Sequence, residues 1–274
     1  MSEPVFMFDG EDPAIKQAYE DAQRSFKYFW RELHWERRRI IKALDIAMVK
    51  LPFTDGPRTD GHPEYEHMWI DDVEFDGEMV SGELINDPNW LTSVKKGDFI
   101  RMPLSRLGDW LMTVNGKAYG GFTVNLMRAG MSIPERKEHD EAWGLDFGDP
   151  ANIRVELNPP KNPKGGLFSG LFSKGSREPE NSDGFHDHPM CVNSLNKIEG
   201  QLLNDPSLAR MVDETGWTLL HREALGGNLG VVKLLVKHGA DITAKTPEGR
   251  TAAELARGIG WAEIASYLDQ QSKG

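Results

Sequence analysis

A single cysteine stands among 274 residues. Neither a disulfide framework nor a zinc or iron–sulfur site built from several thiolates can be assembled from it. The same scarcity fits a reducing compartment, and the expected location is cytoplasmic. No stretch approaches the roughly 20 apolar residues of a membrane span. The opening MSEPVFMFDGEDP has neither the basic flank nor the apolar run of a secretory signal. Surplus positive charge is missing too: 32 Lys and Arg face 43 Asp and Glu, a formal net charge of −11. That argues against general nucleic-acid binding, because a phosphate backbone must be met by excess Lys and Arg. The G-x-S-x-G, Walker, G-x-G-x-x-G and H-E-x-x-H motifs are all absent. With 39 % hydrophobic and 27 % charged residues the chain lies outside the compositional range of disorder. Its length suits two modest domains.

The acidity is concentrated. Residues 51–100 hold twelve acids and three bases, and no Lys or Arg falls between His62 and Asp87. Glu64, Glu66, Asp71, Asp72, Glu74 and Asp76 lie in that span. Two readings stand: a solvated acidic face, or a docking surface for a basic protein partner. A calcium loop fits poorly, since the spacing departs from the regular D-x-[DN]-x-[DN]-G pattern. The basic run Arg37-Arg38-Arg39 precedes this section and is expected to pair with it, within one chain or across a homodimer.

Asp12-Pro13 opens a helix, with an acid at the cap and proline in the first turn. Ile15, Ala18, Tyr19, Ala22, Phe26, Phe29, Trp30 and Leu33 form its apolar stripe. The period then shortens. Leu44–Phe53 reads as a strand. Trp69, Asp71, Val73 and Phe75 alternate on one face, and Asp76-Gly77 is a hairpin signal leading into Met79–Ile85. Trp90–Val94 is compatible with a helical turn. Lys96-Gly97-Asp98 turns into Phe99–Leu104, and Asp109–Val114 is closed by Asn115-Gly116. Gly120-Gly121-Phe122 leads on to Val124–Met127. Residues 135–147 start as a helix that stops at Gly144, and Ile153–Leu157 reads as a last edge strand. The expected fold class is α+β: an N-terminal helix with a mostly antiparallel β-sheet domain over residues 1–157, then a short all-α domain. Residues 158–184, rich in Pro, Gly, Ser and Lys, read as a flexible linker with a doubled Gly-Leu-Phe-Ser.

Residues 185–274 carry a repeat. Gly216-Trp217-Thr218-Leu219-Leu220-His221 aligns with Gly249-Arg250-Thr251-Ala252-Ala253-Glu254 at an offset of 33, and Gly227 aligns with Gly260. Together with Lys237-His238-Gly239-Ala240-Asp241, this resembles the ankyrin repeat family in period and motif. Thr218 is positioned to cap the first helix and bond His221, which is therefore read as structural. Gly239 permits a left-handed helix end. Residues 190–203 read as a helix of an opening cap. The ankyrin resemblance implies protein recognition, with Trp217 and Arg250 as candidate partner contacts.

The segments EHMWIDDVEFDGEMVSGELINDPNW, KKGDFI, LGDWLM and YGGFTVNLMR, within residues 26–149, resemble the YegJ-like bacterial domain of unknown function. The resemblance implies no reaction and no catalytic residues. Its matching positions, His67-Met68-Trp69 and Asp109-Trp110, are read as fold-defining.

One metal candidate remains: His186, His188 and Cys191, with Asp187 between the histidines. Capping of the next helix is the competing reading. Neither a cofactor nor catalytic residues are expected. The expected function is that of a non-enzymatic protein-binding protein, in the first place an immunity or antitoxin-like protein covering a basic toxin with its acidic face; the alternatives are an adaptor working through its ankyrin repeats and an enzyme of unrecognised type.

Overall fold

The computed structural model describes residues 12–59, 61–157 and 185–273. The expected linker at 158–184 lies outside them. The chain divides into two compact units, Met1–Val155 and Glu156–Gly274.

In the first unit, helix α1 (Pro13–Glu36) begins where expected, with the Asp12 carboxylate accepting from the Ala14 amide at 2.9 Å. Six strands follow: β1 (Ile46–Phe53), β2 (Glu66–Phe75), β3 (Met79–Leu84), β4 (Phe99–Pro103), β5 (Asp109–Val114) and β6 (Lys117–Gly120). They form one antiparallel sheet in the order β4-β3-β2-β1-β5-β6. Asp76-Gly77 and Asn115-Gly116 make the two tight hairpins, with positive φ at Gly77, Asn115 and Gly116.

Each face of the sheet carries its own core. On one face Phe26 and Phe29 of α1 meet Phe75 and Trp110, and the Trp110 indole donates to the Ala22 carbonyl at 3.1 Å. On the other, Met48, Leu111, Ala118, Val124 and Phe147 pack together, joined by Trp69, Trp143 and Leu145. Successive residues of a strand point to opposite faces, so Trp110 and Leu111 serve different cores.

Two readings of the sequence need correction, at Ile153–Leu157 and Trp90–Val94, and one segment given no element, Val124–Met127, belongs to helix α2 (Phe122–Ala129). Helix α3 (Ile133–Trp143) follows, ended by Gly144 in the left-handed conformation. Ile153–Leu157 forms no strand, and Trp90–Val94 forms no helix. The alternation in β2 is also broken. Asp72 adopts φ of 47° and the register with β3 slips between Asp71 and Glu74. This bulge turns Val73 and Phe75 to the buried face of Met68 and Ile70, away from the face of Trp69.

The second unit is helical: α4 (Pro189–Asn204), a 3-10 turn at Pro206–Arg210, α5 (Leu219–Leu225), α6 (Leu229–Lys237), α7 (Ala252–Ile259) and α8 (Ala262–Gln271). Thr218 and Thr251 head α5 and α7 as reciprocal caps with His221 and Glu254. His221 Nε2 lies 2.9 Å from the Ala244 carbonyl, which ties one repeat to the turn of the next. Gly239 has φ of 83° at the end of α6.

Candidate functional site

The positions shared with the YegJ-like domain converge where β1, β2 and β5 meet the start of α2. Helix α2 has a glycine at its N-cap and so no cap of its own. Asp109, fully buried on β5, supplies one. Its carboxylate accepts from the amides of Trp110, Phe122 and Thr123 at 2.8, 2.9 and 2.8 Å and from the Thr123 hydroxyl at 2.6 Å. Lys50, the cross-strand partner of Asp109, donates to that same hydroxyl at 2.9 Å. Burial pushes the Asp109 carboxyl up; the Lys50 charge and these donors pull against it. An anion already fills the helix terminus, and it belongs to the chain.

Beside this knot, Tyr65, His67 and Trp69 lie at alternate positions of β2 and its approach, and project from one face. Tyr19 of α1 places its hydroxyl 3.2 Å from His67 Nε2. Lys50 sits 4.6 Å from the centre of the Trp69 ring, and Arg106 5.5 Å from that of Tyr65. Burial, then the positive charges of Lys50 and Arg106, lower the His67 pKa to about 4. Neutral at physiological pH, the imidazole can accept a hydrogen bond from the Tyr19 hydroxyl, which keeps its proton.

The acidic residues named from the sequence do not form one open surface. Glu66 is buried, and its carboxylate accepts from the Asn89 amide and side chain at 2.8 and 2.7 Å, so it is removed from any docking face. Glu74 pairs with Arg37 at 2.8 Å, and Asp76 with Arg101 at 2.6 Å. Arg39 turns instead to Glu32 and Glu36 at the end of α1, and Arg38 lies over the Trp35 ring. Glu64, Asp71 and Asp72 remain exposed. Asp71 stands directly across from Glu83, and partial burial with the charges of Asp72 and Glu83 raises its pKa.

The metal candidates go separate ways. His186 Nε2 lies 3.0 Å from a Glu156 carboxylate oxygen. His188 caps α4, its Nδ1 accepting from the Met190 amide at 3.1 Å, and Asp187 accepts from the Gly230 amide at 2.9 Å. Cys191 is buried, and its pKa is pushed up to about 12, first by desolvation and then by Asp187. Among the described residues no three His, Cys, Asp or Glu side chains are grouped to hold an ion. The thiol is therefore expected to ignore a disulfide reagent such as Ellman's until the unit unfolds; rapid modification of native protein would contradict this. The raised pKa also has a sign. Above the unfolded thiol value of roughly 8.5 only the unfolded chain loses the proton, so stability falls as pH rises toward 12.

Of the two ankyrin candidates, Trp217 is buried, edge-on to His221 and covered by Arg222 at 4.6 Å. It is a core residue and cannot meet a partner. Arg250 lies half-buried in the second finger, its carbonyl accepting from the Thr246 amide at 2.9 Å. The sequence reading passed over Met211 and Val212. They lead into the first finger, the turn at Asp213–Trp217 that precedes α5, and stay 61 % and 55 % exposed.

An α+β unit with this helix-capping aspartate, followed by stacked helix pairs with threonine caps, defines a two-part architecture. The chain belongs to the family described as "uncharacterized protein conserved in bacteria (DUF2314)", which matches residues 12–147, and carries an ankyrin repeat at residues 215–247. A putative ankyrin repeat protein of Neisseria meningitidis serogroup B is 41 % identical over 266 residues, covering 97 % of this chain and 96 % of the relative. The uncharacterized protein YegJ of Escherichia coli is 36 % identical over 84 residues, 31 % of this chain and 51 % of YegJ. Protein phosphatase 1 regulatory subunit 27 of Homo sapiens is 44 % identical over 57 residues, 21 % of this chain and 37 % of that protein. Among the described residues no helix is long and apolar enough to cross a membrane.

Proposed function

We propose that this is a non-enzymatic protein-binding protein that recognises its partner through the ankyrin unit, at the first finger. The exposure of Met211 and Val212 carries this reading. Thr218, His221, Trp217 and Gly239 are all consumed in holding the repeat together, whereas two adjacent large apolar side chains at the finger are left in water. The match to a eukaryotic regulatory subunit over the repeat supports binding as the unit's work and leaves the partner open.

The immunity or antitoxin-like reading keeps one specific observation. Asp71 and Glu83 face each other as like charges on exposed strand positions, a cost that a cationic partner would relieve. The two readings separate cleanly. Photo-crosslinked partner capture from the host should be lost in Met211→Asp with Val212→Asp and kept in Asp71→Lys if the finger binds. The reverse pattern would replace the adaptor reading with the acidic-face one. In the free protein Asp71→Lys is expected to stabilise slightly, by about 0.5 kcal/mol, because it turns a repulsive cross-strand pair into an attractive one. A lower melting temperature would count against that account of the pair.

A further inference from the structure

We infer that the open edge of the sheet, strand β4, is a self-association surface, and that its occupant is β4 of a second copy of this chain. Neither the ankyrin reading nor the family description assigns it. The two edges of the sheet differ. At β6 the chain covers its own edge: the amides of Ala118 and Gly120 donate to the carbonyls of Asp146 and Arg154 at 2.9 and 2.8 Å. Among the described residues β4 pairs with β3 alone. The register fixes which backbone groups face outward. At the two ends of the β3–β4 ladder the Leu84 amide donates to the Asp98 carbonyl at 3.0 Å, and the Leu104 amide to that of Glu78 at 2.8 Å. Even-numbered residues of β4 therefore turn their N–H and C=O groups to β3, and Phe99 and Arg101 turn theirs away from it. Pro103, the next outward position, has no N–H and ends the row of donors.

Proteins usually blunt such an edge with unpaired charge, a bulge or a covering segment. Here the Phe99 ring stands 72 % exposed, and the one charged side chain of the strand, Arg101, is paired with Asp76 at 2.6 Å. The edge is also complementary to itself. Antiparallel pairing about a two-fold axis at Ile100 sets Phe99 of each copy opposite Arg101 of the other. Both outward N–H groups of each copy then find outward carbonyls. Moving the axis to Arg101 would set the two arginines side by side and leave the Phe99 carbonyl facing Pro103. With the axis at Ile100 each Phe99 ring meets the flat face of a guanidinium whose edge stays with Asp76, so no ion pair has to break. The pairing closes at two copies, because the far edge of each sheet is covered at β6. An unrelated extended peptide could use the same backbone groups; the second copy also brings a guanidinium to each Phe99 ring.

Sedimentation equilibrium of the full chain tests this. With protein concentration raised to about 1 mM, the 30.8 kDa species is expected to give way to one of twice that mass. Added salt should strengthen the association, since it screens the repulsion between two chains of net charge −11. Phe99→Lys should weaken it by about 10-fold or more at an unchanged melting temperature, and Phe99→Pro, which removes an outward N–H at the first residue of the strand, by at least as much. Met211→Asp with Val212→Asp should leave it untouched, which separates this edge from the ankyrin finger. Hydrogen exchange reads the interface directly. The Phe99 and Arg101 amides should be protected in concentrated protein and exchange fast in dilute protein, while those of Ile100 and Met102 stay protected in both. A single 30.8 kDa species at every concentration, association that survives both Phe99 variants, or exchange at Phe99 and Arg101 that does not change with concentration would overturn the inference.

Discussion

Replacing Asp109 with alanine is expected to cost the first unit about 3–5 kcal/mol, the range seen when one partner of a buried charged network is removed. The size follows from what one carboxylate does. It satisfies three amides and one hydroxyl, and it stands cross-strand to the ammonium of Lys50. Alanine would leave the first turn of α2 uncapped and the amides of Phe122 and Thr123 buried without an acceptor. Asparagine would restore part of the loss, since its carbonyl can serve one side of the site while its NH2 group faces donors. A chemical-denaturation series checks the order wild type, asparagine, alanine. A loss below about 1 kcal/mol for Asp109→Ala would mean that water or a shifted side chain satisfies those amides instead.

How far the structure could be read from the sequence depended on the range of the interaction. Asp12-Pro13, Asp76-Gly77, Asn115-Gly116 and the pairing of Thr218 with His221 are settled within four residues, and each appeared as expected. Helix α2 was invisible because its cap comes from another strand, thirteen residues before Phe122. The bulge at Asp72 was hidden for a related reason. One residue in the left-handed region resets every later side chain, and two adjacent aspartates do not announce it. The candidate site suffered most. Charge counts along the chain located the acids, and the expected pairing with the Arg37 run is met at Glu74, but the partner of Asp76 is Arg101 on another strand. The burial of Glu66 depends on the loop at Asn89, and the burial of Trp217 on Arg222 and His221 packing around it.

Gly227→Ala should be the most damaging small substitution in the ankyrin unit, at about 3 kcal/mol or more. Two costs coincide there. The backbone has φ of 75°, a region where a Cβ is strained by about 1 kcal/mol. The added carbon would also lie 2.5 Å from the Trp261 ring, which cannot step aside because its indole donates to the Leu225 carbonyl at 3.1 Å. Gly249 separates these terms: its φ is 81° and nothing lies within 4 Å of an added Cβ. Gly249→Ala should therefore show the backbone cost alone. A double-mutant cycle isolates the clash. In a Trp261→Leu background, itself destabilised by loss of the ring and its hydrogen bond, adding Gly227→Ala should cost little more than the Gly249→Ala control. If Gly227→Ala is equally damaging in both backgrounds, the contact with Trp261 is not the cause, and the turn between α5 and α6 requires glycine for its backbone alone.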